Sequence, residues 1–386
     1  MISPGSMLGL LGGGQLGRMF TMAAQSMGYR VMVLDPGGQS PAGSVADEHL
    51  RADYLNLEAL RTMSSRCAAA TTEFENVPAE SLEFLARHTV VSPSAQAVAI
   101  AQDRIREKTF LADNGLNVAP FAVIAGHADL DDARLSPLLP GVLKIARMGY
   151  DGKGQVRVST PGEVRMAFAS LGGKPCVLEK FLALECEVSV VVARGFDDSV
   201  VTFPVAENQH ARGILDVSIV PARIPASLAD DARRAAIRVA ERLDYRGVLC
   251  VEFFVVNGGS LVVNEIAPRP HNSGHYTIDA CVTSQFEQQA RVLCRLPLGD
   301  TSAHCPAVMV NLLGDLWAAG EPRWEHVLRH TRAKLHLYGK SEARPGRKMG
   351  HYTVLAEDVG QALATATKIK SMLLADAQVH RAAGAA

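Results

Sequence analysis

Residues 247–267, "GVLCVEFFVVNGGSLVVNEIA", restrict what this chain can fold into more than any other stretch. Two runs rich in valine, phenylalanine and leucine flank Gly258-Gly259, the pattern of a β-hairpin closed by a two-residue turn. Such a turn sets Glu252 opposite Glu265 as a non-hydrogen-bonded pair, with Cα atoms ~4.5 Å apart. Like charges facing each other across strands repel, and apolar neighbours raise that cost. A hard divalent cation held by both carboxylates removes the repulsion, and Mg²⁺ is commonly bound by one or two carboxylates together with substrate phosphates. The other reading is an edge hairpin with one glutamate splayed into water. Strict alternation turns Asn264 to the opposite face, so it joins the pair only through a twist or bulge.

The first hundred residues have a different texture. "MLGLLG" and "RVMVLD" read as strands of a parallel sheet, "LGRMFTMAAQSMG" as a helix closed by Gly28, and "CAAATTEFENV" as a later strand. Gly12-x-Gly14-x-x-Gly17, followed by Asp35 at the end of the second strand, is also the spacing of a dinucleotide-binding turn. An NAD-dependent dehydrogenase is therefore one hypothesis, although it leaves the paired glutamates unexplained. "VVSPSAQAVAIAQDRIREKTFLADNG" reads as one long helix capped near Ser94 and stopped by Gly115. Beyond Pro120 come short β-rich segments, and "ASLADDARRAAIRVAERLDY" forms a helix just before the hairpin.

Whole classes of function fall away on charge and patterning. A formal net charge of −1 gives no general attraction to nucleic acid or to an anionic membrane. No apolar run approaches the ~18 residues that span a bilayer. The opening "MISPGS" lacks the basic start of a secretory signal. The seven cysteines show no C-x-x-C spacing and sit mostly in apolar surroundings, which fits a reducing, cytoplasmic setting.

Three further segments carry candidate chemistry. "GYDGKGQ", residues 149–155, follows the strand bearing Lys144; its glycines let backbone N–H groups approach an anion, and Lys153 adds charge. "RPGRKMGH" with Lys340 upstream gathers Arg344, Arg347 and Lys348 around a Pro-Gly turn, a setting for a phosphate or another small anion. "NEIAPRPHNSGH" packs Arg269, His271, Asn272, Ser273 and His275 directly after the glutamate-bearing strand, as a substrate loop does. Taken singly, these segments also read as a plain hairpin turn, a solvated basic loop and a structural histidine turn.

Together with "GGGQLGRM", "EFENVP" and "SQFEQQ", these motifs resemble the ATP-grasp enzymes, and more narrowly the bacterial 5-(carboxyamino)imidazole ribonucleotide synthase family, in order and spacing from about residue 7 to 355. The resemblance implies an α/β and α+β chain: an N-terminal Rossmann-like domain (1–107), an ATP-grasp domain (108–297) with a β-rich lid at about 120–185, and a small C-terminal domain (298–386). It implies an ATP-dependent ligase that carboxylates 5-aminoimidazole ribonucleotide with bicarbonate through carboxyphosphate. The cofactors implied are ATP and Mg²⁺, with Mn²⁺ as a substitute and neither biotin nor NAD. The implied partners are these small molecules alone, with no nucleic acid or membrane, in a cytoplasmic homodimer.

Carried over residue by residue, the nucleotide falls to Arg104, Lys144, the loop Gly149, Tyr150, Asp151, Gly152, Lys153, Gly154 and Gln155, the linker Glu179, Lys180, Phe181 and Leu182, and Glu187, His210, Asn264 and Glu265. Metal falls to Glu252 and Glu265. Tyr150, Asp151, Lys153, Arg269, His271 and Lys348 surround bicarbonate and the aminoimidazole as catalytic residues. Gln15, Leu16, Glu73, Asn272, Ser273, Lys340, Arg347 and Lys348 hold the ribonucleotide, with Glu73 near its ribose or ring and Asp35 merely the end of a strand. Two relatives of different chemistry remain open: a formate-using glycinamide ribonucleotide transformylase, and a non-catalytic nucleotide-sensing module.

Overall fold

The computed structural model describes residues 1–149, 153–256 and 258–383, the side chains of 378–383 excepted. Tyr150, Asp151, Gly152 and Asn257 lie outside the described residues.

Three sheets organise the described residues. The first is parallel, ordered Glu48–Leu50, Arg30–Leu34, Met7–Leu11, Ala69–Thr72, Val90–Val91. Its central strand Met7–Leu11 is buried along its whole length, as the continuous apolar run requires for a strand covered on both faces. The helix Gln15–Ser26 places Leu16, Met19, Phe20 and Ala24 on one face, and these join Phe286, Ala290 and Leu293 in a common core. That core holds the helix Gln285–Leu293 against the first unit.

The expected single helix after Ser94 is two helices, Ala95–Ala101 and Arg104–Asp113. Ser94 caps the first, accepting from the Ala97 N–H. Asp103 then accepts from the N–H groups of Ile105 and Arg106 and starts a second helix. An Asp side chain inside a helical pattern can compete for backbone donors in this way, and periodicity alone does not reveal it.

A four-stranded sheet follows, ordered Phe121–Ile124, Cys176–Lys180, Gly141–Ile145, Gln155–Val158. The third sheet has nine strands and runs from the hairpin strand Ser260–Ala267 at one edge to Ala333–Leu337 at the other. Ile214–Val220 pairs antiparallel with Ala307–Leu313, Val217 facing Val310, so the C-terminal residues extend the large sheet rather than closing a sheet of their own. The helix Val359–Ala383 covers this extension with Ala362, Ala366, Ile369 and Leu373. No helix among the described residues is long and apolar enough to cross a membrane.

The hairpin forms, with a different turn. Val256 pairs with Ser260 and Phe253 with Val263, so three residues, not two, connect the strands. This shifts the register by one. A bulge between Glu252 and Phe253 on one strand, opposite Asn264 on the other, shifts it back, and Glu252 pairs with Glu265. The expected facing of the carboxylates is present, but through two departures that cancel.

Candidate active site

A cleft of about 750 Å³ is lined by strands of the second and third sheets and by the segments 14–16 and 73–76, which follow strands of the first. Its floor is the hairpin. Glu265 accepts from Arg104 Nη1 at 3.1 Å, and Glu252 Oε1 lies 3.2 Å from His271 Nε2. Burial and the charge of Glu265 push the Glu252 carboxyl well above its ordinary value. Burial acts the same way on Glu265, but Arg104 and Lys144 outweigh it and hold that carboxyl low. Beside the pair, the buried Asn264 Oδ1 has no hydrogen-bond partner. Two opposed carboxylates and an orphaned amide oxygen form the all-oxygen donor set that a hard divalent cation takes.

Lys144, on the strand Gly141–Ile145, lies 3.1 Å from Glu179 Oε1, and Lys108 lies 3.2 Å from Glu179 Oε2. Burial lowers the Lys144 ammonium from its ordinary value against the pull of Glu179. The Glu179 carboxylate is thus committed to two lysines, and Lys180, Phe181 and Leu182 line the cleft beside it as a linker. Glu187 accepts from His210 Nδ1 at 3.1 Å. Burial disfavours the charged imidazole, but the hydrogen bond and charge of Glu187 raise His210 above its usual value.

His271 is oriented from behind. Its Nδ1 accepts from the Ser273 N–H at 3.3 Å and lies 2.8 Å from Ser273 Oγ. Ser273 Oγ in turn accepts from Ser189 Oγ, which accepts from Asn208 Nδ2. With Nδ1 used as an acceptor, the neutral ring carries its proton on Nε2, facing Glu252. Burial and the cations Arg269 and Lys348 keep His271 far below its ordinary value. Ser273 itself is fully buried and lies behind His271 rather than along the cleft. Asn272 and Lys348 do line it.

At the N-terminal end, Gln15 and Leu16 begin the helix Gln15–Ser26 and line the cleft. Glu73 is only 8% exposed. Its carboxylate accepts from the N–H groups of Gly14 and, at 2.7 Å, Gly17. A Cβ at Gly14 would collide with that carboxylate, which accounts for the glycine. Asp35 is more than a strand end, because it accepts from the Gly13 N–H at 2.8 Å and from Tyr54 Oη at 2.7 Å. The donors that a dinucleotide turn offers to a pyrophosphate are here taken by the protein's own carboxylates.

The expected convergence of cations around the Pro-Gly turn is looser than the spacing implied. Lys340 Nζ donates to the Lys348 carbonyl at 2.6 Å, Arg347 donates to the Glu342 carbonyl at 2.7 Å, and Arg344 turns to the Glu342 carboxylate. Neither Lys340 nor Arg347 lines the cleft, nor do Lys153 and Gly154, whereas Gly149 and Gln155 do.

Residues that sequence reasoning missed are prominent. Glu75 pairs with Arg269 Nε at 2.5 Å, joining "EFENVP" to the loop after the hairpin. Glu107 and Lys108, one turn beyond Arg104, are 2% and 0% exposed. The spacing of three and four residues from Arg104 placed them on one helix face, but "RIREK" looks like a solvated face. Outside the cleft, Asp279, His336 and His351 approach one another closely. Asp279 is hydrogen-bonded to His336, and the His336 and His351 rings stack at 18°.

Three family models cover the chain: a ribonucleotide synthetase preATP-grasp domain at residues 6–102, an ATP-grasp domain at 109–286, and a phosphoribosylaminoimidazole carboxylase C-terminal domain at 307–365. The chain is 43% identical over 357 residues to an N5-carboxyaminoimidazole ribonucleotide synthase of Bacillus subtilis, covering 92% of this chain and 93% of that one. It is 45% identical over 354 residues to the Brucella melitensis enzyme of the same name, covering 91% and 97%. Among solved structures, an N5-carboxyaminoimidazole ribonucleotide synthetase in complex with ADP matches with a TM-score of 0.90 at 41% identity, over 98% and 99% of the two chains. The Aspergillus clavatus enzyme in complex with ADP and 5-aminoimidazole ribonucleotide matches with a TM-score of 0.86 at 31% identity, over 95% and 98%.

Proposed function

The chain belongs to the N5-carboxyaminoimidazole ribonucleotide synthases, an ATP-grasp family, and from that premise we infer how its own residues carry the family's reaction. The protein is an ATP-dependent ligase that carboxylates 5-aminoimidazole ribonucleotide to N5-carboxyaminoimidazole ribonucleotide in purine biosynthesis. The observation that carries the residue assignments is the facing of Glu252 and Glu265 in the cleft that also holds Lys144, Arg269 and Lys348.

Glu252 and Glu265, with the amide oxygen of Asn264, would hold Mg²⁺, which when bound neutralises phosphate charge. Lys144 and the loop 149–155 hold the phosphates, the main chain of 179–182 reads the base, and Glu187 accepts from the ribose. A bicarbonate oxygen attacks the γ-phosphorus and the bond to the β–γ bridging oxygen breaks, leaving ADP and carboxyphosphate. The amine nitrogen then bonds to the carboxyl carbon, the carbon–oxygen bond to phosphate breaks, and the departing phosphate takes the amine proton. Arg269 and Lys348 stabilise the phosphate and carboxyl oxygens during both steps, a contribution of positioning and charge.

His271 is not assigned as the base that takes the amine proton, since its Nδ1 accepts from the Ser273 N–H and its Nε2 faces Glu252. Its part is to orient that carboxylate. Gln15, Leu16 and Asn272 are the ribonucleotide contacts that line the cleft, with its phosphate assigned to Lys340 and Arg347. The free cysteines fit the proposed cytoplasmic setting, and the family likeness extends the proposal to a homodimer.

Release of ADP, followed with a coupled assay, tests the reading. It is expected only when 5-aminoimidazole ribonucleotide and bicarbonate are both present. Formate replacing bicarbonate would move the chain to another acyl donor, and no ligand-dependent release would make it a nucleotide sensor.

A further inference from the structure

We propose that Glu107 and Lys108 are positioning residues of the reaction, which clamp the bulged segment carrying Glu265 and tie it to Lys144. The proposal rests on the assignment of Glu252 and Glu265 as the metal carboxylates. The strand Ser260–Ala267 is the edge of the large sheet, so one side of its backbone meets no full strand, only an isolated bridge to Val118 and the Asn117 carbonyl, which accepts from the Val263 N–H at 2.7 Å. The bulge at Asn264 interrupts the ladder on the other side as well. The bulged residues themselves lack ladder partners, and a slip of one residue there would turn Glu265 to the opposite face.

The helix Arg104–Asp113 packs beside this edge and supplies the missing partners on both sides of Glu265. Lys108 Nζ donates to the Asn264 carbonyl at 2.7 Å. Glu107 Oε1 accepts from the Ile266 N–H at 2.5 Å. Glu265 is thereby held from both flanking residues while its own side chain meets Arg104 on the same helix.

The second half of the clamp reaches the lid. Lys108 and Lys144 share the two oxygens of Glu179, a residue of the strand Cys176–Lys180 in the four-stranded sheet. One helix face therefore sets Glu265 on the large sheet and Lys144 on the small one. Burying ionised side chains is expensive, and well-packed apolar residues usually stabilise a fold as well or better. A wholly buried lysine and a nearly buried glutamate bonded to backbone at the bulge itself indicate positioning rather than stability alone.

The test uses the full chain and follows Mn²⁺ binding by electron paramagnetic resonance in the presence of ADP, with the KM for 5-aminoimidazole ribonucleotide measured alongside. Glu107→Gln keeps the acceptor oxygen and is expected to leave the Mn²⁺ dissociation constant within about threefold of wild type. Glu107→Leu removes the contact to the Ile266 N–H, Lys108→Met removes those to the Asn264 carbonyl and Glu179, and both are expected to weaken Mn²⁺ at least about tenfold, with that KM unchanged. If Lys108→Met does not fold, the contrast between Gln and Leu at position 107 decides. Wild-type Mn²⁺ affinity in Glu107→Leu, or equal damage from Gln and Leu, overturns the proposal. Glu265→Gln separates the two layers: if it too leaves Mn²⁺ affinity unchanged, the metal assignment falls and the clamp with it, whereas if it alone weakens binding, only the clamp falls.

Discussion

Glu73→Ala removes the group that closes the glycine turn. The helix Gln15–Ser26 has Gly14 at its N-cap and no side-chain cap of its own, and Glu73 accepts from the N–H groups of Gly14 and Gly17. Hydrogen bonds to a charged acceptor contribute roughly 1.5–3 kcal/mol each. Burial works against the charge and raises this carboxyl despite both donors, so the net loss is about 3 kcal/mol, near the low end for two bonds. At roughly 2.1 cal/mol/K of unfolding entropy per residue, that lowers the midpoint of a single cooperative transition of this chain by roughly 4 °C. The vacated N–H groups form an anion site at a helix N-terminus, so sulfate or phosphate should restore part of the loss and chloride should not. Differential scanning fluorimetry in matched salts reads both effects. Unchanged stability with a severalfold higher KM for 5-aminoimidazole ribonucleotide would refute the argument and return Glu73 to the ribose or ring, where the motif alone had placed it.

Glu265→Gln should abolish most activity at low Mg²⁺ while leaving the fold as stable or slightly more so, because one of two facing charges is gone; unaltered turnover across a Mg²⁺ titration would contradict this. Arg269→Ala and Lys348→Ala should lower turnover by an amount corresponding to about 2–4 kcal/mol with little change in ATP affinity, and an equal fall in both would place these residues at the nucleotide. Glu75→Gln should cost about 2 kcal/mol near neutral pH, between the usual values for exposed and buried pairs. Burial alone would raise Glu75, but Arg269 holds it below the ordinary 4.5, so the contribution is complete above about pH 4.5 and is lost as pH falls through the depressed value. Urea midpoints of wild type and Glu75→Gln should therefore converge in acid, and a constant difference down to pH 3 would exclude the pair as the cause.

What the sequence made legible was chiefly local. Alternation around Gly258-Gly259 exposed the hairpin, and the opposed glutamates followed from counting along it. The count assumed a two-residue turn, and only the bulge at Asn264 brought Glu252 and Glu265 back into register; bulges have no reliable signature in a Val-rich strand. The Ser94 cap was visible, whereas the break at Asp103 depended on which of several polar residues takes the backbone donors. Glycine spacing announced a strand–turn–helix unit but not that Glu73 and Asp35, from two other strand ends, occupy its N–H groups. Glu107, Lys108 and Glu75 remained hidden for the same reason. Their roles come from partners more than 150 residues away in sequence, and nothing local distinguishes them from surface charges. Of the residues the family motifs singled out, Gln15, Leu16, Lys144, Arg269 and Lys348 line the cleft, whereas Ser273 lies behind His271 in a chain of hydrogen bonds.

The central claim is that this cleft activates bicarbonate by phosphorylating it. The direct measurement is a turnover with ¹⁸O-labelled bicarbonate and unlabelled ATP, followed by mass analysis of the phosphate released in the presence of 5-aminoimidazole ribonucleotide. Attack of a bicarbonate oxygen on the γ-phosphorus, with later cleavage of the carbon–oxygen bond, predicts that the phosphate carries one ¹⁸O from bicarbonate. Phosphate free of label, formed at the same rate as carboxylated product, would contradict the carboxyphosphate route.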